Sequence, residues 1–134
     1  MLIVDSELGF VFWLGQTLDK AGYQVFPAKS IPDASRLLLE ANIEIDLLIV
    51  SPSTPGAPEF AADLRRSQGH LKLIALIGHE EDPAARLPGM DASQRKPLSI
   101  DEASRKEWLE TIQRLFDNDT ATTPKLEASG GKPC

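Results

Sequence analysis

The sequence predicts an α/β fold of parallel strands alternating with helices, and three observations carry that prediction. Apolar runs recur at Met1-Leu2-Ile3-Val4, Leu47-Leu48-Ile49-Val50 and Leu71-Lys72-Leu73-Ile74-Ala75-Leu76-Ile77, with almost no polar alternation. Runs of that kind read as strands buried on both faces, the situation of a parallel sheet. The segments between them place apolar residues at helical spacing. Turn-forming residues then close the runs: Pro52, Pro55 and Gly56 after the central one, Gly78 after the last.

Taken in order, Met1–Val4 is the first strand and ends at Asp5. A helix follows over Glu7 to Gly22, with Phe10, Val11, Leu14, Leu18 and Ala21 on one stripe and Gly22 as its stop. Phe12 and Trp13 fall partly off that stripe, which reads either as wide core contact or as a partner surface. Tyr23–Pro27 is the second strand. Ser30-Ile31-Pro32-Asp33 opens the next helix, with Ser30 as cap, Pro32 in the first turn and an early acid. Its apolar stripe is Ile31, Ala34, Leu37, Leu38 and Ala41. Asp46–Val50 is the third strand.

Pro58-Glu59 begins a helix that turns Phe60, Ala61 and Leu64 inward and ends at Gly69. Leu71–Ile77 is the fourth strand, and Glu80 to Pro88 a short helix. Ala92–Arg95 is too polar for a buried strand and reads as a short edge strand. Ser99-Ile100-Asp101-Glu102 has the form of a capping box. The last amphipathic helix then carries Ala103, Trp108, Leu109, Ile112, Leu115 and Phe116. Residues 1–117 form the domain, and the polar residues 118–134 read as a disordered tail or linker. Five β–α units of this length predict a flavodoxin-like (βα)5 three-layer sandwich, with a five-stranded parallel sheet in the order 2-1-3-4-5.

Composition narrows the function. Among 134 residues the formal net charge is −6, which argues against binding nucleic acid through a basic face. The single cysteine, Cys134, permits no internal disulfide. No apolar stretch approaches the roughly 20 residues of a membrane span. The opening residues carry no basic segment of a signal peptide. These features predict a cytoplasmic protein. There is no dinucleotide or phosphate-binding glycine loop. His70, His79 and the terminal cysteine do not make a zinc site.

Four landmarks bear a family resemblance. Leu2-Ile3-Val4-Asp5-Ser6-Glu7 resembles the opening of response-regulator receiver domains, where two adjacent acids end the first strand. Asp46-Leu47-Leu48-Ile49-Val50-Ser51, followed by Pro55-Gly56, looks like the phospho-acceptor strand and its loop. Leu73-Ile74-Ala75-Leu76-Ile77-Gly78 is similar to the fourth strand, whose end carries a Thr or Ser. Lys96-Pro97 resembles the Lys-Pro pair before the last helix. The resemblance covers residues 1–117 and implies a CheY-like receiver of a bacterial two-component phosphorelay.

The departures fall on the chemistry. Ser6 stands for one acid of the pair, Ser51 for the phospho-acceptor aspartate, and Ile77 for the hydroxyl switch residue; Asp5 and Lys96 match. The resemblance implies Mg²⁺, which prefers octahedral oxygen ligands including one or two carboxylates. Asp5 is the sole residual candidate ligand, so metal binding is expected to be weak or lost and no cofactor is expected. A serine hydroxyl without a base is a poor nucleophile. The site therefore reads as degenerate, a pseudo-receiver without enzymatic activity. Lys96, lacking its acceptor carboxylate, is expected to pair with Asp5, with Glu7 the next acid.

Signalling would then run through a protein partner or a second copy. The resemblance places that surface on the fourth helix, fifth strand and fifth helix, at Glu80–Arg86, Ser93–Arg95 and Ala103–Glu110. Trp108 there is either core or interface. Two other readings stand beside it: Asp5, Ser51 and His79 as a hydrolase triad, and Ser51-Pro52 as a site modified by a separate kinase.

Overall fold

The structure, a computed structural model, describes residues 1–78, 85–87, 89–97 and 99–122, the last five of them by backbone alone. It comprises two compact units, Met1–Ile100 and Asp101–Cys134. The expected helix over Glu80 to Pro88 lies largely outside the described residues, as does the segment 123–134.

In the first unit the order is β1 (Leu2–Val4), α1 (Leu8–Lys20), β2 (Phe26–Ala28), α2 (Ile31–Ala41), β3 (Leu47–Val50), α3 (Ala57–Ser67), β4 (Lys72–Ile77) and β5 (Ala92–Arg95). The five strands form one sheet in the order β2-β1-β3-β4-β5, every neighbouring pair parallel. This is the flavodoxin-like topology that the sequence predicts.

The three central strands are buried on both faces. Leu2, Val4, Leu48, Val50, Leu73, Ala75 and Ile77 point into one core cluster, which Ala34 of α2 and Ala57, Ala61 and Leu64 of α3 complete. Ile3, Leu47, Ile49, Ile74 and Leu76 have the opposite parity along their strands and are also fully or almost fully buried. Burying each such aliphatic side chain stabilises the fold by about 1.5–3 kcal/mol. α1 packs against β1 and β2, and its buried stripe is Phe10, Val11, Leu14, Thr17 and Leu18. Phe12, a quarter-turn away, is 55% exposed, so it does not belong to the core.

Two boundaries differ from the sequence reading. β2 begins at Phe26 rather than Tyr23 and runs through Ala28. Its pairing to β1 sets this: Phe26 N–H donates to the Met1 carbonyl, and Asp5 N–H to the Ala28 carbonyl. Pro27 sits between these two inward-facing residues on the sheet edge, where a missing N–H costs no ladder bond. On α2 the cap is as expected, Ser30 Oγ accepting from Asp33 N–H at 3.3 Å. The helix closes on Asn42 in the left-handed region, φ 51°.

β5, Ala92–Arg95, is the polar edge strand that the sequence predicts. Its entry is fixed by Asp91, whose Oδ2 accepts from Leu73 N–H at 2.8 Å. A polar strand is tolerated there because one edge of it has no neighbouring strand in the sheet.

The second unit contains α4, Glu102–Thr122. Its cap is Asp101 rather than Ser99: Asp101 Oδ1 accepts from Ser104 N–H at 2.9 Å. The Asp101 carbonyl also takes the Arg105 N–H. A carboxylate one residue before the helix reaches the third amide directly, which places the start of the helix after Asp101. Trp108 and Ile112 are fully buried, so Trp108 is a core residue; Leu109, Leu115 and Phe116 are half-buried. Ala103, expected on the apolar stripe, is exposed. The helix continues past Asp117, the expected domain end, to Thr122.

No helix among the described residues is long and apolar enough to cross a membrane.

Candidate functional site

The strand register assembles the site. β1 and β3 are central neighbours with Val4 beside Val50, so Asp5 and Ser51 leave the sheet side by side at its carboxyl edge. β4 lies beside β5 with Ile77 opposite Arg95, which brings Lys96 to the same edge. Lys96 N–H donates to the Ile77 carbonyl at 2.9 Å and fixes the lysine backbone there. A cleft of about 490 Å³ opens at this edge and takes in Asp5, Ser6, Ser51 and Lys96. In open α/β sheets this edge is where ligands bind.

Four of the five predicted site residues therefore line one cleft. Ile77 does not. Its side chain packs into the core cluster and is 3% exposed, while Gly78 supplies the cleft wall. Lys29, Ser30, Ser53 and Thr54 also line the cleft and were not named from the sequence as site residues, Ser30 having been read only as a helix cap. Ser53 carried a readable signal, since a serine two residues beyond another in a Ser-Pro-Ser turn is placed to bond back.

Asp5 and Lys96 are the charged centre. The Lys96 ammonium donates to Asp5 Oδ2 at 2.7 Å and to Glu7 Oε1 at 3.1 Å. Asp5 is nearly buried, 7% of its side chain exposed, and the lysine side chain is 15% exposed. Asp5 Oδ2 also accepts from Glu7 N–H at 3.2 Å, which ties the entry of α1 to the end of β1. Lys96 Nζ lies 5.6 Å from the centroid of the Phe10 ring, within cation–π range. Burial opposes the ammonium and is the largest single influence on it. The hydrogen bonds and charges of Asp5 and Glu7 together outweigh it, and the Lys96 pKa is raised above 10.5.

Ser51 is 6% exposed. Its Oγ is hydrogen-bonded to Ser53 Oγ at 2.9 Å and accepts from Ser53 N–H at 3.2 Å. A neighbouring hydroxyl is not a base that can take a proton at neutral pH, so this arrangement does not activate Ser51. His79, the third member of the hydrolase reading, lies outside the described residues. The Asp5 carboxylate of that reading is engaged by Lys96.

The divalent cation implied by the family resemblance does not fit these residues. Ser6 and Ser51 present neutral hydroxyls, and the Asp5 carboxylate already faces an ammonium. Among the described residues no group of three or more His, Cys, Asp or Glu side chains gathers to hold a metal ion.

No protein-family model matches the sequence, and no curated protein matches it. The fold, by contrast, has solved counterparts. A CheY-like response regulator receiver domain from Methanospirillum hungatei JF-1 superposes with a TM-score of 0.69 at 21% identity, over 90% of this chain and 95% of that one. The chemotaxis response regulator CheY4 of Vibrio cholerae gives 0.66 at 25% identity, over 84% and 94%. A Burkholderia pseudomallei response regulator bearing a phosphorylated aspartic acid, a calcium ion and citrate gives 0.63 at 17%, over 92% and 74%. Sheet order, the cleft at the carboxyl edge and these superpositions converge: the chain is built on the CheY-like receiver fold of two-component response regulators.

Proposed function

We propose that this domain is a pseudo-receiver: a receiver-fold module of bacterial two-component signalling that acts through protein contacts without being phosphorylated and without catalysing a reaction. The observation that carries this reading is the residue after the central strand. There Ser51, a hydroxyl bonded to Ser53, occupies the place where the resemblance puts a carboxylate nucleophile. The Lys96–Asp5–Glu7 cluster supports it, because the ion pair of Lys96 with the nearly buried Asp5, flanked by Glu7, holds the edge in one arrangement. The burial of Ser51 weighs against its modification by a separate kinase. The bound state of Asp5 weighs against a hydrolase.

This reading expects partner contacts at Ser93–Arg95 of β5 in the first unit and, separately, at the solvent-facing positions of Ala103–Glu110 on α4 of the second, where Trp108 is buried; Glu80–Ala84 of the expected surface are outside the described residues. Phe12, with more than half its surface in water, favours a second contact surface on α1. The net charge, and the lack among the described residues of a helix long and apolar enough to span a membrane, are consistent with work in the cytoplasm.

Incubation with acetyl phosphate and Mg²⁺, read by intact mass, tests the proposal. The wild type is expected to gain nothing, and the Ser6→Asp/Ser51→Asp/Ile77→Thr variant to gain one phosphoryl group. Phosphate on the wild type would overturn the reading.

A further inference from the structure

Two carboxylates, Asp5 and Glu7, converge on one ammonium at 2.7 and 3.1 Å. A nearly buried carboxylate is unstable without a counter-charge. Here the counter-charge comes from the chain itself, on a backbone anchored by the Lys96–Ile77 hydrogen bond. An ammonium has three N–H donors and no acceptor. Asp5 and Glu7 each take one of these donors, and the Phe10 ring lies 5.6 Å from the nitrogen, within cation–π range.

We infer that the Lys96 ammonium is the resident cation of this edge, a tethered ion that holds Asp5 and Glu7 together and excludes a divalent metal. A metal entering between the carboxylates would have to expel the ammonium from a pocket where it is 15% exposed. Among the described residues that line the cleft it would then find hydroxyls, Ser6 and Ser51 among them, but no carboxylate besides Asp5 to complete its shell. The ammonium is compact enough to sit between two carboxylates and attached closely enough to be always present. The domain therefore responds neither to Mg²⁺ nor to its removal. The inference rests on the proposed reading of the site as degenerate and adds what took the metal's place.

The test is a gain of metal binding. Mn²⁺ binding by calorimetry, and thermal unfolding in Mn²⁺ against chelator, are measured for the wild type, Lys96→Met, Lys96→Met/Glu7→Gln and Lys96→Arg. The wild type is expected to show no saturable Mn²⁺ uptake at millimolar concentration and no shift in Tm. Lys96→Met, which keeps the stem and loses the charge, is expected to bind Mn²⁺ at least about tenfold more tightly, because two carboxylates now face an open position. Its Tm should rise with the metal, and adding Glu7→Gln should erase both gains. Uptake by the wild type, or a Lys96→Met protein indifferent to Mn²⁺, would overturn the inference. If Lys96→Met does not fold even with the metal, Lys96→Arg decides: it keeps the charge and must stay blind to Mn²⁺, and uptake by it would overturn the inference. The two proposals fail separately. Mn²⁺ uptake by a wild type that takes no phosphate removes the tethered cation and leaves the pseudo-receiver. Phosphate gain by a wild type blind to Mn²⁺ does the reverse.

Discussion

The Lys96 ammonium sits 2.7 Å from Asp5 Oδ2, joining residues 91 positions apart across the carboxyl edge of the sheet. Removing the lysine leaves a carboxylate that is 7% exposed without its main counter-charge. Lys96→Ala is expected to lose about 2–3 kcal/mol, since stranding a buried charge costs more than the pair contributes. Glu7 is 64% exposed, so Glu7→Gln should cost less than about 1 kcal/mol. Urea midpoints of the two variants check this ordering.

The same ammonium carries a pH dependence. Its folded-state pKa is raised above 10.5, the burial that lowers it being outweighed by Asp5 and Glu7. The folded protein holds this proton more tightly than the unfolded chain does. The contribution is therefore complete below pH 10.5 and is lost as pH rises through the higher folded value. The stability difference between wild type and Lys96→Met should be constant from neutral pH to the ordinary lysine range and shrink above it. A difference that shrinks on acidification instead, between pH 7 and 5, would assign the effect to another group.

Thr17 presents a buried hydroxyl in the stripe of α1, 3% exposed, and among the described residues its Oγ1 has no hydrogen-bond partner. Thr17→Val keeps the shape and removes the unsatisfied group. It is expected to stabilise the protein by about 1 kcal/mol, measured by thermal or urea unfolding.

The start of α4 depends on Asp101 accepting from Ser104 N–H. Asp101→Ala should cost about 1 kcal/mol. Asp101→Asn, which keeps an acceptor oxygen, should cost much less. Circular dichroism during urea unfolding reads both.

Sequence and structure divide along the reach of the physics involved. The strand and helix alternation was legible because burial leaves a local imprint: Leu47–Val50 has no polar alternation, and Ser30 and Asp33 mark a helix start within four residues. Sheet order followed, since parallel strands with helical crossovers leave few topologies. The β2 boundary was less legible, because Phe26 and Ala28 are strand residues through bonds to Met1 and Asp5 rather than through their own pattern. Asp5 and Ser51 could be named in advance as residues that follow strands, while Ser6 and Lys96 were named through the family resemblance. Ile77 could be named too, but strand parity turned it into the core and left Gly78 at the cleft.

By itself the sequence determined the alternation of strands and helices, and that a hydroxyl, Ser51, follows the central strand. Only the tertiary structure decided that two acids share one ammonium, that Phe10 lies beneath it and that Ser51 bonds to Ser53. The reason is register. The distance between side chains on β1 and β5 is set by the pairing of every strand between them, and no local pattern encodes that sum.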